Sequence, residues 1–149
     1  MIAIVDYKAG NIRSVENALQ RLGAEYVLTS DPETLRQADH VVLPGVGEAS
    51  SAMKSLESTG LIPVIKSLTQ PVLGICIGLQ LMCSSSEEGN VECMGIFTPR
   101  VRRFPEEPGV KIPHTGWNTI SGLRGPLFRN SSIMCTPTAL TYSLIRLPP

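Results

Sequence analysis

The segment Gly74-Ile75-Cys76-Ile77-Gly78-Leu79-Gln80 constrains this chain more than any other. The apolar run Pro71-Val72-Leu73-Gly74-Ile75-Cys76 reads as a buried strand, and Gly78 to Met82 reads as the start of a helix. A strand that runs straight into a helix needs a sharp turn. Glycines two residues before and two after the cysteine remove the side chains that would clash there. Cys76 is then held in a strained backbone conformation, the cysteine form of a nucleophile elbow. The helix that follows directs its N-terminus at the sulfur, which favours thiolate over thiol. A buried structural cysteine fits the same local pattern, and spacing alone does not separate the two readings.

The rest of the chain supplies further units of the same kind. Ile2-Ala3-Ile4-Val5 reads as a first strand. A helix follows, with Ile12, Val15, Leu19 and Leu22 on one face and Gly23 as its C-terminal stop. Glu25 to Leu28 is a second strand. Ser30 and Glu33 have capping-box spacing, with Pro32 in the first turn of the next helix. Val41-Val42-Leu43 is a third strand, Glu48 to Glu57 a helix, and Leu61 to Leu68 a shorter one. Strands alternating with helices imply a doubly wound, mostly parallel α/β sheet, whose site lies at the strand carboxyl ends. Gly10-Asn11, Gly45-Val46-Gly47 and Cys76 all fall at such ends. Beyond Glu88-Gly89-Asn90 the pattern changes. Gly95 to Phe104 and Lys111 to Ile120 read as two strands around Pro105–Gly109, an antiparallel extension of the parallel sheet.

Composition narrows the function classes. At 149 residues and 42% hydrophobic the chain is sized for one domain with a real core, and 5% aromatics make that core aliphatic. Basic and acidic residues number 13 each, so global charge argues for neither nucleic acid nor a membrane surface. The apolar runs are too short to span a bilayer. Cys76, Cys83, Cys93 and Cys135 form no CxxC pair, and His40 and His114 are the only histidines, so no metal site and no cofactor is expected. Without a leader-like segment, the cysteines are expected as reduced thiols in a cytoplasmic protein.

Acyl transfer from a cysteine requires donors for the oxyanion and a base for the proton. Pro44-Gly45-Val46-Gly47 suits the first need, because two glycines let backbone N–H groups face an oxyanion unobstructed. Taken alone, the segment reads as a tight turn. Together with the elbow it favours a reactive cysteine. Gln80 lies one helical turn beyond Cys76, placed to reach a polar substrate or to sit solvated. Glu87 and Glu88 read as surface charge. Neither histidine suits the base: His40 begins a strand at the far end of the sheet, and His114 reads as a hydrogen-bonded structural residue.

Pro44–Gly47 followed by Gly74–Met82 resembles the class I glutamine amidotransferases. Asp6-Tyr7-Lys8-Ala9-Gly10-Asn11 and Lys111-Ile112-Pro113-His114-Thr115-Gly116-Trp117-Asn118 narrow the resemblance to the glutaminase subunits of imidazole glycerol phosphate synthases. The resemblance covers roughly residues 1–128, which are expected to form an incomplete amidotransferase domain. It implies that Cys76 attacks the glutamine side-chain amide and forms a glutamyl thioester. It implies an oxyanion hole at Gly45, Val46 and Gly47, and glutamine held by Gln80 and Glu88. Ammonia would pass to a (β/α)8-barrel cyclase partner in histidine biosynthesis, with Gly10, Asn11, Trp117 and Asn118 at the interface or gate.

One departure is large. The family completes its triad with a histidine and a glutamate in an HPEKS-like segment, and an earlier strand resembles YVHSY. No histidine or glutamate follows His114. Residues 129–149 are rich in Ser, Thr, Pro and Leu with no periodicity, and are expected to be a poorly ordered tail outside the family pattern. With suitable codons, Ile133–Leu140 can be encoded by bases that read YVHSYSF in another frame, so a frameshift or truncation is expected. The chain as given is then expected to be an inactive glutaminase. Two alternatives remain: a non-catalytic subunit that still binds the cyclase, and another cysteine-elbow α/β hydrolase.

Overall fold

The computed structural model describes residues 1–103 and the backbone of three short strands at 118–119, 134–135 and 144–146. Strand β1 (Ile2–Val5) leads to α1 (Ile12–Arg21), β2 (Tyr26–Thr29), α2 (Pro32–Gln37) and β3 (His40–Leu43). Then follow α3 (Ala49–Ser58), α4 (Ile62–Ser67), β4 (Val72–Gly74) and α5 (Ile77–Met82). The short strands are β5 (Ser85–Ser86), β6 (Val91–Glu92), β7 (Arg100–Val101), β8 (Asn118–Thr119), β9 (Met134–Cys135) and β10 (Leu144–Arg146).

The main sheet has the order β10-β4-β3-β1-β2. Strands β1 to β4 are mutually parallel, with Ala3 opposite both Val27 and Val41, and Leu43 opposite Gly74. This is a doubly wound sheet whose order reverses between β1 and β3, the place where such folds build sites. Residues 3–5 of β1 and 41–43 of β3 are buried without alternation, because helices cover both faces. Ala52, Met53 and Leu56 of α3 and Val64 and Ile65 of α4 complete an aliphatic core.

The N-cap of α2 is Asp31, whose carboxylate accepts the Thr34 N–H at 2.8 Å, so Ser30 does not open a capping box. Leu22 does not share the buried face of α1. It is 78% exposed and caps the helix, just before Gly23 (φ +64°). The Gly23 and Ala24 N–H groups donate to the Gln20 and Leu19 carbonyls, a Schellman ending that turns the chain before Leu22 can pack.

Over its described part, residues 95–103, the expected strand from Gly95 to Phe104 is not one long strand joined to the parallel sheet. Among its described residues Arg100–Val101 alone pairs, and it does so parallel to β5 in a separate small sheet, β6-β5-β7. Positive φ at Gly89, Asn90 and Gly95 breaks the chain into short pieces at this point. The antiparallel strand on the main sheet is β10, which pairs with β4. Strands β8 and β9 pair with each other in a second unit. The expected Pro105–Gly109 connection and Lys111–Trp117 lie outside the described residues.

Candidate active site

Cys76 has φ +55° and ψ −119°, a backbone conformation that non-glycine residues rarely adopt. Holding it there costs of order 1–3 kcal/mol, so surrounding contacts must enforce it. Those contacts are backbone against backbone. The Ile75 N–H donates to the Leu43 carbonyl at 3.0 Å, the Gly78 N–H to Ile75, and the Leu79 and Gln80 N–H groups to the Cys76 carbonyl. A Cβ on Gly78 would lie 2.0 Å from the Leu43 oxygen, and one on Gly45 would lie 2.3 Å from the Gly78 nitrogen. On Gly74 it would meet the Leu79 Cα and the Met82 sulfur at 2.8 Å. The three glycines therefore let the elbow lie directly on the end of β3. That contact brings Pro44-Gly45-Val46-Gly47 beside Cys76.

Beyond Gly45 the loop opens. Val46 is 46% exposed, and Gly47 has φ +88° with open space where a Cβ would point. Among the described residues no backbone acceptor takes the N–H of Val46 or Gly47. Such groups are available to an oxyanion.

Tyr7, which the sequence does not mark as a site residue, binds this loop from the end of β1. It is fully buried, and its hydroxyl donates to the Pro44 carbonyl at 2.7 Å. Burial, with the charge of Cys76 as the second cause, pushes its phenol up to about 12. It therefore stays a neutral donor at physiological pH. The available sequence signal was an aromatic residue just past the carboxyl end of an apolar strand. Gly10 (φ +113°) lies in the same β1 loop, and a Cβ there would touch the Pro44 ring at 3.5 Å. Asn11 caps α1 by accepting the Ser14 N–H at 3.3 Å.

Gln80 and Glu88 approach through a third residue. The Ser86 hydroxyl lies 3.1 Å from Gln80 Oε1, and it accepts the Glu88 N–H at 3.1 Å. The two adjacent glutamates then differ in use. Both are exposed, but the Glu87 carboxylate accepts the Arg103 N–H at 2.8 Å, whereas Glu88 takes part through its backbone N–H to Ser86. A Cβ on Gly89 would collide with Ser50 and with the Glu48 carboxylate, so the Glu88 turn sits on the first residues of α3, just past Gly47.

Burial disfavours the thiolate at the two other described cysteines. Burial raises the Cys83 thiol, and burial together with Cys83 pushes Cys93 up to about 11. His40 opens β3 at the amino end of the sheet, away from Cys76. His114, Trp117 and the side chains of Asn118 and Cys135 lie outside the described residues. Among the described residues no three His, Cys, Asp or Glu side chains cluster to hold a metal, and no helix is long and apolar enough to cross a membrane.

The family model for class-I glutamine amidotransferases matches residues 3–136. The chain belongs to that family. Among curated amidotransferases, it is 57% identical over 129 residues to imidazole glycerol phosphate synthase subunit HisH of Bacteroides fragilis (strain YCH46). That match covers 86% of this chain and 66% of the relative. The Bacteroides thetaiotaomicron subunit is 56% identical over 128 residues, covering 85% of this chain and 65% of the relative. The Idiomarina loihiensis subunit is 43% identical over 135 residues, covering 90% and 68%. The chain thus spans about two thirds of the length of the amidotransferase subunits it matches.

Proposed function

We propose that this chain carries the nucleophile half of a glutaminase that supplies ammonia to a cyclase in imidazole glycerol phosphate synthesis. The observation that carries the reading is Cys76 at positive φ, packed through Gly78 and Gly45 against a loop with open N–H groups. The Cys76 sulfur attacks the side-chain amide carbon of glutamine. A C–S bond forms, and the carbonyl electrons collect on an oxygen facing the Gly45–Gly47 backbone. When they return, the C–N bond breaks and nitrogen leaves with a proton as ammonia. Water then cleaves the thioester to glutamate and free thiol. Gln80 and Glu88 hold the amino-acid end of the substrate.

The strand carboxyl ends, with Gly10, Asn11 and the exposed Val46, are the face we assign to the (β/α)8-barrel cyclase. We assign Trp117 and Asn118 to the same interface or gate. Ammonia leaving Cys76 toward this face would enter the partner rather than bulk water. Residues 1–128 carry the family motifs, and residues 129–149, where the family model's match ends at residue 136, are assigned as lacking its HPEKS-like and YVHSY-like segments.

The proton shuttle is the weak point of residues 1–149 taken by themselves. His40 is remote, and neither histidine nor glutamate follows His114. We assign them slow glutamine hydrolysis, reduced on the order of 10²–10⁴-fold for want of a catalytic base. Cyclase binding does not require that base. The test is alkylation with the chloroketone analogue of glutamine, followed by peptide mapping, and ammonia release measured with a cyclase present. Modification is expected at Cys76, with ammonia release far below that of a full-length subunit. Preferred modification of Cys83, Cys93 or Cys135 would overturn the nucleophile assignment. Release at the full-length rate would overturn the reading of impaired hydrolysis.

A further inference from the structure

We propose that Ser86 is a positioning residue: its hydroxyl fixes the Gln80 amide so that Nε2 faces the substrate as a donor, and it seats the turn carrying Glu88. The inference rests on the glutaminase reading above.

A serine hydroxyl has one hydrogen to give and lone pairs to receive. At Ser86 both uses are set by the neighbours. The Glu88 N–H donates to Oγ at 3.1 Å, so an Oγ lone pair is taken. The hydroxyl hydrogen is left for Gln80 Oε1, also at 3.1 Å. Because Oε1 accepts from Ser86, the amide is locked with its NH₂ edge turned elsewhere. Among the described residues no protein acceptor takes Nε2. It is therefore a preset donor, one helical turn past the nucleophile, suited to a carboxylate or carbonyl oxygen of an amino acid.

Two further observations make Ser86 a fixed reference. It is the buried polar side chain of the described core, 3% exposed, and a buried hydroxyl with both functions used is costly to reorient. It also lies on the central strand of the small sheet, opposite Val91 on β6 and Val101 on β7. One hydroxyl thus ties the helix behind Cys76 to the turn bearing Glu88. If that bond is removed, Gln80 can flip its amide and present oxygen to an anionic substrate group.

The experiment uses this chain and measures how L-glutamine slows alkylation of Cys76 by iodoacetamide, a small reagent that needs no recognition. Ser86→Ala should weaken glutamine protection about 10-fold, the worth of one or two positioned hydrogen bonds. The alkylation rate without glutamine reads the thiol itself, and a change confined to protection separates positioning from damage to the elbow. Gln80→Glu keeps an acceptor for Ser86 but loses the Nε2 donor, and should weaken protection similarly. The double variant should be no worse than Gln80→Glu, because once the Nε2 donor is gone Ser86 has no donor left to orient. If Ser86→Ala does not fold, Gln80→Glu still tests the Nε2 donor that the proposal requires, since its side chain is only partly buried and keeps the Ser86 bond. Full protection in Gln80→Glu, or strictly additive losses, would overturn the inference. Full protection of the original chain with none lost in Ser86→Ala would do so while leaving the glutaminase reading standing. No protection of the original chain by glutamine would overturn both.

Discussion

Two junctions of the same sheet use glycine for opposite reasons. At the corner between α1 and β2, Gly23 has φ +64° and open space around its Cα. It is there for its backbone angle. At the elbow between β4 and α5, Gly78 has ordinary helical geometry but no room, since a Cβ would sit 2.0 Å from the Leu43 oxygen. The corner only redirects the chain. The elbow must hold Cys76 in a strained conformation, and it does so by pressing backbone on backbone across two strands. Dense packing is concentrated where strain has to be kept, and the α1 side is left loosely covered.

Substituting alanine at both places separates the two causes. Gly78→Ala should be the most damaging change, costing more than about 3 kcal/mol, because the atoms in the way are backbone and cannot swing aside. Gly23→Ala should cost about 1–2 kcal/mol, the penalty for an L-residue in left-handed geometry without any clash. Urea unfolding of both variants checks the ranking. Equal losses would mean that the elbow relaxes easily and does not enforce the Cys76 geometry.

The same contrast explains how far sequence reasoning reached. Gly23 was legible because a helix stop is written within a few adjacent residues. The Gly74–Gly78 elbow was legible for the same reason. What joins the elbow to the oxyanion loop is not local. Gly45 and Gly78 are 33 positions apart, and nothing between them signals that they touch. Tyr7 looked like one residue of a family motif, and its bond to Pro44 spans 37 positions. Ser86 was hidden in Ser84-Ser85-Ser86, where composition gives no reason to choose the third. Leu22 failed differently. Its helical spacing is correct, but the Schellman ending had already turned the chain.

Tyr7 is the next largest test of the dense side. Tyr7→Phe keeps the ring and leaves the buried Pro44 carbonyl without its donor, at an expected cost of about 1–3 kcal/mol. The effect should depend on pH. The folded protein keeps the phenolic proton to about pH 12, against the ordinary value of 10.0. A raised folded-state pKa gives stability that is complete below the unfolded value and is lost as pH rises through the folded one. The advantage of tyrosine over phenylalanine at this position should therefore be full below about pH 10 and shrink toward pH 12. Urea unfolding of both proteins at pH 8 and pH 11 measures it. A gap that stays constant would show that the phenol is not held protonated beyond its ordinary range, and no gap at all would show that Tyr7 contributes through ring packing alone.

The smallest effect belongs to the loose side, at Leu22. By spacing it completes the apolar face of α1 with Ile12, Val15 and Leu19, and a core leucine replaced by lysine would be expected to cost several kcal/mol. Leu19 is buried, but Leu22 is 78% exposed. Its N–H is already used, donating to the Ala18 and Leu19 carbonyls, and lysine would preserve those backbone bonds. A cation at this position also meets the negative end of the helix dipole, alongside Arg21 in the last turn. Leu22→Lys should thus change stability by less than about 0.5 kcal/mol, with any gain shrinking as salt is added. Thermal unfolding at low and high salt reads both parts. A large loss would mean that Leu22 is covered when the protein is in solution. The contrast between a crowded elbow and an open corner would then have to be redrawn.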